Sequence, residues 1–369
     1  MRDLEPPGHR SRQRDQQRKL RTRIGALVVV ASLLVVALGV WGALRRDDDG
    51  DTAAAGSGPS SSTLLALAVQ GPHALGAVVG AEGPDAPAVV AVPGETVFVV
   101  PGQGEAMMTD AASLPGGAFR IGMANLLGTW VDHFAVLDRD TLGAVVDRIG
   151  GIEVNLGEPF EASTGTIGPG PVTMDGAQVR EYLATEDDTL DLRWQLVLQG
   201  LFAQEIPLLP SDLVESDDEV AVAGLLNASR GAGVRSLPVE EVQTLTTPDQ
   251  PAVAELTAQA FGRDGPQPIN VIVTNGSGRP GVGQEVAGRI IPAGFRVVIS
   301  DNAERFGRER TQIVANGDSA IPIADRVREA MGVGEVVVSQ IPSGLAEVTI
   351  LVGEDLSKTE DDASTDPAA

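Results

Sequence analysis

The sequence predicts an α/β protein with a single N-terminal transmembrane helix, an exported α/β domain and a small α+β C-terminal domain. Three observations predict this fold class. Residues 24–44 contain no charged side chain, strand-like apolar runs alternate with helix-like stretches over residues 63–262, and residues 268–356 have the order βαββαβ followed by one more strand. Interleaved strands and helices are typical of layered α/β domains.

The run IGALVVVASLLVVALGVWGAL (residues 24–44) is long enough to cross a hydrocarbon core of about 30 Å as a helix. Eight basic and three acidic residues precede it, and an aspartate-rich segment follows Arg45 and Arg46. This bias predicts a plasma-membrane protein with a cytoplasmic N-terminus and the bulk of the chain outside. A cleaved signal peptide is the alternative, but the apolar run is too long for one, and two arginines stand where small residues would mark a cleavage site.

The composition of the 369 residues excludes several classes of function. With 51 acidic and 27 basic residues the net charge is −24, which argues against a nucleic-acid partner because polyphosphate binding needs a basic surface. The chain has no cysteine, so disulfides, thiol catalysis and iron–sulfur sites are excluded. Three histidines argue against a multi-histidine metal site, and one tyrosine with three tryptophans leaves no aromatic platform for sugars or bases.

Composition shifts also predict where the folded units begin and end, because Gly, Pro and Ser-rich stretches separate periodic ones. The predicted segments are a basic cytoplasmic tail (1–23), the transmembrane helix (24–44), a flexible linker (45–62), a first unit (63–262), a second unit (268–356) and a disordered tail (357–369).

In the first unit, apolar runs predict strands and amphipathic spacing predicts helices. Over residues 140–149 apolar side chains recur at i, i+3, i+4 and i+7, with Asp140 as the expected N-cap and Gly150 as the expected end. The predicted strands are 64–69, 77–79, 88–92, 96–100, 133–137 and 152–156, and the predicted helical stretches are 119–127, 140–149 and 175–205.

The second unit alternates more clearly between the two periodicities. Its predicted strands are 269–275, 295–300, 311–316, 335–340 and 346–353, and its predicted helices are 281–291 and 321–331. This order places two helices on one face of a small sheet, as in a ferredoxin-like or related sandwich.

A glycine motif joins the first strand of the second unit to its first helix. Gly276, Gly278 and Gly281 have the spacing of a dinucleotide-binding fingerprint, and Asp301 follows Gly281 by twenty residues. The unit is too short to complete a nucleotide crevice, Pro280 stiffens the turn, and little dinucleotide is expected outside the membrane. A tight turn that needs glycine at positive φ explains the same residues, so no cofactor is predicted.

An acidic run, Glu186, Asp187, Asp188 and Asp191, raises the question of a metal site. Carboxylate oxygens bind divalent cations, and Asp188 and Asp191 are the candidate ligands. Acidic clusters in the loops of an acidic protein are usually solvated, so magnesium is expected only if the protein is an active enzyme. Nucleophilic catalysis is not indicated either, since no G-x-S-x-G motif occurs and His133 has the pattern of a structural strand residue.

The order of the motifs resembles the LytR–CpsA–Psr family of envelope proteins. Within the similar segments, the run from Gly150 to Val154, Asp175-Gly176 and Tyr182 keep the family's pattern. Residues 268–356 resemble the LytR C-terminal domain. The similar segments of the first unit are LLGTWVDHFAVLDRDTLGAVVDRIGGIEVNL (126–156), VTMDGAQVREYLATEDDTLDLRWQLVLQGLF (172–202) and PGETVFVV (93–100), the last in the position of the family's Pro-Arg-Asp-Thr motif.

The resemblance implies that active members transfer anionic glycopolymers from a polyprenyl-pyrophosphate lipid onto peptidoglycan. They hold the pyrophosphate with several arginines, because planar guanidinium groups suit phosphate oxygens. This chain departs from that pattern and keeps only Arg193, and no counterpart of the family's early magnesium-binding aspartates follows the first strand. The residues that replace the family's arginines, and in one case its glutamine, are Gly94, Ala184, Glu186, Leu190 and Trp194.

We therefore expect a catalytically degenerate domain with a binding or scaffolding role in cell-wall assembly. The expected partners are the membrane and either a cell-wall polymer or an active relative. One alternative is an active glycopolymer phosphotransferase with a rearranged pocket, in which Arg193 contacts phosphate, Arg180 assists, and Asp191 or Asp188 holds magnesium. The other alternative is an exported sensor or regulator.

Both arginines also have a purely structural interpretation. Arg193 is then a residue on the surface of a helix that pairs with Asp187 or Asp188, and Arg180 is a surface base.

Overall fold

The computed structural model describes most of the chain beyond the predicted linker. The described residues are 62–71, 74–81, 86–185, 187–242, 245–262, 267–339 and 344–357. The predicted cytoplasmic tail, the transmembrane helix (24–44) and nearly all of the linker lie outside them, as does the tail after residue 357. No helix in the described ranges has the length and hydrophobicity needed to cross a membrane.

The first lobe, residues 62–262, consists of strands interleaved with helices. Its strands are β1 (Thr63–Gln70), β2 (Leu75–Ala81), β3 (Ala88–Val92), β4 (Val97–Val100), β5 (Gly104–Met107), β6 (His133–Asp138), β7 (Ile152–Leu156), β8 (Phe160–Ala162), β9 (Gly165–Ile167), β10 (Gly170–Met174), β11 (Glu215–Ser216), β12 (Gly233–Ser236), β13 (Val239–Val242) and β14 (Leu245–Pro248). Its helices are α1 (Met108–Ala111), α2 (Gly116–Leu127), α3 (Arg139–Arg148), α4 (Gly176–Tyr182), α5 (Leu190–Phe202), α6 (Glu219–Ala228) and α7 (Gln250–Phe261).

Six of these strands form the central sheet, in the order β11-β6-β1-β2-β3-β12. β1 pairs in parallel with β6, and β2 lies antiparallel between β1 and β3. Alternate residues of β1 enter two different cores: Leu64 packs in the cluster that contains Phe261 of α7, and Leu65 packs in the cluster that contains Trp194 of α5. Both faces of the sheet are therefore buried, which explains why its strands are almost continuously apolar.

The second lobe, residues 267–357, is a five-stranded sheet with two helices. Its elements are β15 (Ile269–Asn275), α8 (Val282–Ile290), β16 (Phe295–Asn302), β17 (Gln312–Asn316), α9 (Ile321–Met331), β18 (Glu335–Ser339) and β19 (Val348–Val352). The strand order is β16-β15-β19-β17-β18, and every neighbouring pair is parallel except β17 with β19.

The elements of the second lobe confirm the predicted βαββαβ order with its additional strand. The ferredoxin-like alternative is wrong, because α8 connects β15 to β16, and these two strands are direct parallel neighbours. In the split βαβ units of a ferredoxin-like sheet another strand lies between the two that a helix connects. The sequence pattern fixes the order of the elements but not which strands pair.

Helix ends in the first lobe follow from local capping, with one correction to the sequence analysis. The N-cap of α3 is Asp138, whose carboxylate accepts a hydrogen bond from Thr141 N at 2.6 Å, and Asp140 lies inside the first turn. The expected end is confirmed, since Gly150 follows the helix at φ +84°. At α4, Asp175 and Gln178 form a reciprocal capping box.

A hydrogen-bonded seam and a shared hydrophobic core join the two lobes. The Asn125 Nδ2 of α2 donates to Val99 O at 3.0 Å and to Val297 O at 2.8 Å, and its Oδ1 accepts from Val297 N at 2.8 Å. This side chain thus satisfies the outer edge of β16 as a neighbouring strand would. Arg296 is buried beside it, donates from Nε to Asn125 O at 3.3 Å, and has its pKa lowered to about 10 by desolvation.

Candidate functional site

The loops after three strands meet at one end of the central sheet. β1 and β6 end side by side, with Gln70 opposite Asp138, and β3 runs in the same direction as β1 because β2 is antiparallel to both. Gly71, Gly94 and Arg139 follow these strands, and the N-terminus of α5 packs against the same end. Ligands of open α/β sheets bind outside the carboxyl ends of the strands, so this is the position expected for a site.

Two side chains of α5 attach its N-terminus to the sheet. Asp191 accepts a hydrogen bond from Gly94 N at 3.0 Å, and the indole Nε1 of Trp194 donates to Gly76 O at 2.9 Å. Trp194 is 1% exposed and belongs to the core that also contains β1 and β2. Asp191, a sequence-based candidate for metal binding, is thus hydrogen-bonded to the backbone of the loop in which the family's arginine is replaced by Gly94.

Arg193 is buried at the base of the same helix, and its expected place on the helix surface is wrong. The residue is 6% exposed, its guanidinium donates to Thr185 O and to Asp187 Oδ1 at 3.0 Å, and its Cζ lies 5.5 Å from the centre of the Tyr182 ring. The pairing with Asp187 agrees with the structural interpretation. The guanidinium is therefore enclosed by an acid, a carbonyl and an aromatic face of its own chain. We call Gly94, Tyr182, Asp187, Asp191 and Arg193 the Arg193 site.

The environment of the Arg193 site shifts two pKa values. Burial raises the pKa of Tyr182, and the cation of Arg193 acts in the opposite direction as the smaller effect. Hydrogen bonds from the Thr189 hydroxyl and backbone lower the pKa of Asp187, with a further contribution from Arg193. With these shifts Tyr182 is a neutral phenol and Asp187 an ionised carboxylate at neutral pH, which are their ordinary charge states.

A second buried arginine, Arg139, lies at the carboxyl end of β6 and was not singled out from the sequence. It is 9% exposed, and desolvation lowers its pKa. A Cβ atom on Gly71 would lie 2.9 Å from its Cζ, so the glycine after β1 makes room for the guanidinium. Asp138 and Asp140 on either side of Arg139 give it the sequence pattern of an exposed helix start, which concealed it.

The other sequence-based candidates lie elsewhere. Arg180 packs between α3 and α4, and its Nε lies 3.6 Å from the exposed carboxylate of Asp140. Asp188 is exposed, and Glu186 lies outside the described residues. Across the residues that the structure describes, no group of three or more histidine, aspartate and glutamate side chains has the geometry to hold a metal ion.

The positions that resemble the family's phosphate-binding segments have local structural roles or none. Gly94 donates its N–H to Asp191, Trp194 is part of the core, Leu190 is half-buried and Ala184 is exposed. No side chain at these four positions carries a positive charge. Of the described positions in these motifs, only Arg193 carries a guanidinium; its Nη2 is paired with Asp187 and Thr185 O, whereas its buried Nε has no hydrogen-bond partner.

Comparison with known families and structures gives two kinds of match. Residues 83–195 match the LytR_cpsA_psr family, and residues 268–356 match the family described as LytR cell envelope-related transcriptional attenuator. The comparison with curated proteins found no match.

Among solved structures, Bacillus subtilis TagV is 13% identical at a TM-score of 0.45, and the match covers 55% of this chain and 96% of TagV. TagT of the same species is 16% identical at a TM-score of 0.44, covering 58% and 93%, and TagT has also been solved bound to LI-WTA. A LytR-Csp2A-Psr enzyme from Actinomyces oris is 14% identical at a TM-score of 0.43, covering 55% and 92%.

The two family matches fall in the two lobes that the fold separates, and they confirm the resemblance that the motifs indicated. Residues 83–195 thus belong to a LytR_cpsA_psr family domain, and residues 268–356 form a LytR C-terminal domain.

Proposed function

We propose that this protein is a membrane-anchored cell-envelope protein whose LytR–CpsA–Psr domain has lost the transfer reaction and binds or scaffolds in cell-wall assembly. The observation that supports the loss of catalysis is the state of Arg193, whose guanidinium donates to Asp187 and to Thr185 O. A pyrophosphate would have to displace both. A hydrogen bond to a charged group contributes about 1.5–3 kcal/mol, so this displacement offsets much of what a phosphate contact would gain.

The anionic surroundings add to this cost. Asp187 and Asp191 flank Arg193 on α5 and the preceding turn, and the chain as a whole carries a net charge of −24. Like charges disfavour an anionic ligand unless cations compensate for them. The anchoring part of the proposal is supported by the uncharged run 24–44 with its basic N-terminal flank.

The decisive experiment measures the thermal unfolding of the full-length chain in detergent, with and without farnesyl pyrophosphate and magnesium. A ligand at 100 times its Kd stabilises a protein by about 2.7 kcal/mol, which moves Tm measurably. The proposal expects no shift for the wild-type protein. A shift that depends on magnesium would contradict the loss of catalysis.

A variant designed to regain pyrophosphate binding tests whether the Tm assay can detect a ligand at this site. The double variant Gly94→Arg/Ala184→Arg places guanidinium groups at two positions where the family has arginine. A Cβ atom at Gly94 would lie 3.3 Å from Thr109 Cγ2, which a small adjustment accommodates. Ala184 is exposed, so a longer side chain fits there. We expect this variant to gain a Tm shift with farnesyl pyrophosphate. The matched control, Gly94→Gln/Ala184→Gln, has side chains of similar length without charge and should show none.

The binding role has its own measurement, cosedimentation of the full-length protein with purified cell-wall fragments. Retention in the pellet is the expected result. Absence of retention would remove the cell-wall polymer as a partner and leave an active relative as the partner of the scaffold.

A second function, an active glycopolymer phosphotransferase with a rearranged pocket, is favoured by one observation. Arg139 places a buried guanidinium at the carboxyl end of β6, where the sequence comparison did not expect one. If this alternative holds, Arg139→Ala abolishes the magnesium-dependent Tm shift, while Leu192→Ala, at an exposed position on α5, retains it.

A further inference from the structure

A cleft lies in the second lobe at the carboxyl ends of β15 and β16, and the turn between β4 and β5 of the first lobe closes one side of it. Its volume is about 430 Å³, and small-molecule sites typically have about 300–1,000 Å³. A position outside the carboxyl ends of parallel strands is where α/β sheets bind ligands. We call it the Phe306 cleft; its lining side chains include Gln103, Asn275, Arg279, Asp301, Asn302 and Phe306.

The glycine turn that borders the cleft is satisfied by its own side chains. Asn275 Oδ1 accepts from Gly278 N at 3.0 Å and from Ser277 Oγ at 2.9 Å, and Ser277 Oγ accepts from Arg279 N at 3.2 Å. A phosphate-binding turn has to present such N–H groups to its ligand. Here they are occupied, so the fingerprint spacing of the glycines does not create a phosphate site.

The start of α8 is covered by the first lobe. A Cβ atom on Gly283 would lie 2.5 Å from the Cα of Gly102, and Gly102 N donates to Ser300 Oγ at 2.8 Å. Backbone of the first lobe therefore packs directly on one side of the first turn of α8. The contact also fixes the turn that holds Gln103 at the edge of the cleft.

Phe306 provides an apolar face inside this polar cleft. Its ring packs on Gly278, where a Cβ atom would lie 2.9 Å from the ring, and the residue is nevertheless 57% exposed. In the described ranges it is the only aromatic side chain with most of its surface exposed. Backbone hydrogen bonds from Ala303 N to Asn275 O at 2.9 Å and from Arg308 N to Gly276 O at 3.0 Å hold its loop in place.

The polar groups that line the cleft include hydrogen-bond donors and acceptors but no uncompensated positive charge. Arg279 is paired with Glu285, so its charge is already compensated, and the carboxylate of Asp301 would repel an anion. Asn302 Oδ1 accepts from Asn275 Nδ2 at 3.2 Å, which leaves the Asn302 Nδ2 as a donor, and Asp301 contributes an acceptor to the lining of the same cleft. A sugar hydroxyl donates one hydrogen bond and accepts others, so the hydroxyls of one sugar ring can bind both the Asn302 donor and the Asp301 acceptor. The C–H face of a pyranose can stack on the aromatic ring of Phe306.

We infer that the Phe306 cleft binds an uncharged sugar unit of a glycan chain, with Phe306 stacking on the ring and Asp301 and Asn302 hydrogen-bonding its hydroxyls. The inference does not rest on the proposed function, because none of these residues belongs to the Arg193 site. It also revises the expectation that the chain has no aromatic platform for sugars, since that expectation counted tyrosine and tryptophan but could not see an exposed phenylalanine.

The test is isothermal titration of the full-length protein in detergent with neutral tetrasaccharides of β-1,4-linked N-acetylglucosamine, β-1,4-linked glucose and β-1,4-linked mannose. We expect saturable one-to-one binding of at least one tetramer. Phe306→Ala and Asp301→Ala should each weaken it about tenfold or more, since one aromatic or hydrogen-bonded contact is worth about that factor. Phe306→Trp should restore binding, and Val220→Ala, at an exposed position on α6, should leave it unchanged.

Three results would overturn the inference. One is no heat of binding with any of the three tetramers while all variants remain folded by circular dichroism. Another is tetramer binding that Phe306→Ala and Asp301→Ala leave intact. The third is competition by inorganic pyrophosphate or NAD⁺, which would make the cleft a phosphate site after all. None of these outcomes depends on whether farnesyl pyrophosphate binds at the first lobe.

Discussion

The Arg193 site and the Phe306 cleft lie at equivalent places, at the carboxyl ends of parallel strands, but they differ in what their polar groups contact. Arg193 Nη2, Asp191 and the Gly94 N–H are hydrogen-bonded within the chain, whereas the buried Nε of Arg193 has no partner. In the Phe306 cleft the backbone amides are satisfied, whereas Asp301 and the ring of Phe306 face solvent.

The Arg193 site thus resembles a family's active site in position, whereas the Phe306 cleft has polar and aromatic groups that are available to a ligand. Groups that the chain satisfies stabilise its fold and are expensive to release, because a buried polar group left without a partner costs about 1–3 kcal/mol. Groups that only water satisfies cost little to transfer to a ligand. Substitutions at the Arg193 site should therefore reduce stability, and substitutions at the Phe306 cleft should reduce binding with stability unchanged.

The largest effect is expected for Trp194→Ala. Trp194 is 1% exposed and its Nε1 donates to Gly76 O, so the substitution leaves a cavity and removes this buried hydrogen bond. We expect the free energy of unfolding to fall by about 3–5 kcal/mol in urea titrations. Leu192→Ala, two residues earlier and exposed, should change it by less than about 0.5 kcal/mol. A small effect of Trp194→Ala would mean that this end of α5 is not part of the structural core.

Arg193→Ala should have the next largest effect. The substitution removes the donors to Asp187 and Thr185 O and the contact with Tyr182, so we expect a loss of about 2–3 kcal/mol in the same titrations. Arg180→Ala is the matched control, since its pairing with Asp140 is largely exposed and such pairs contribute at most about 1 kcal/mol. An Arg193→Ala protein that is more stable than the wild type would show that the buried guanidinium is strained, as expected of a ligand-binding group.

How far the sequence predicted these regions depends on the range of the interactions involved. β3, β7, β15 and α9 have the predicted bounds, because local periodicity and turn residues define them. Helices α6 and α7 were not predicted, and the strand pairing of the second lobe was wrong in its ferredoxin-like form, because pairing depends on contacts that are distant in sequence.

The candidate site shows the same limit more sharply. Absence of arginine at Gly94 and Ala184 is visible in the sequence, but the burial of Arg193 and Arg139 is not. Arg139 is buried because Gly71, which follows a different strand, leaves space for it. Phe306 is one of eight phenylalanines; its charged neighbours in residues 304–310 are a signal of exposure, but the packing of its ring on Gly278 is not visible in the sequence.

The pH dependence of the Arg193 site follows from Asp187. Its folded-state pKa is lowered, chiefly by the Thr189 hydroxyl, so ionised Asp187 contributes stability above its ordinary pKa of about 3.9. That contribution is lost as the pH falls through the lowered folded-state value. The difference in Tm between the wild type and Asp187→Asn should therefore be constant from pH 5 to pH 7 and shrink in more acidic buffer. A difference that grows on acidification would mean that the folded-state pKa is raised instead.

The smallest change in stability is expected for Phe306→Ala, and it is the result that most directly tests the contrast between the two regions. The ring is 57% exposed and packs on Gly278, while its loop is held by backbone hydrogen bonds that do not involve the side chain. The free energy of unfolding should therefore change by less than about 0.5 kcal/mol. A loss of 2 kcal/mol or more would mean that the ring stabilises the glycine turn as Trp194 stabilises α5. The Phe306 cleft would then be a second region of satisfied groups, and its exposed aromatic face would no longer distinguish it from the Arg193 site.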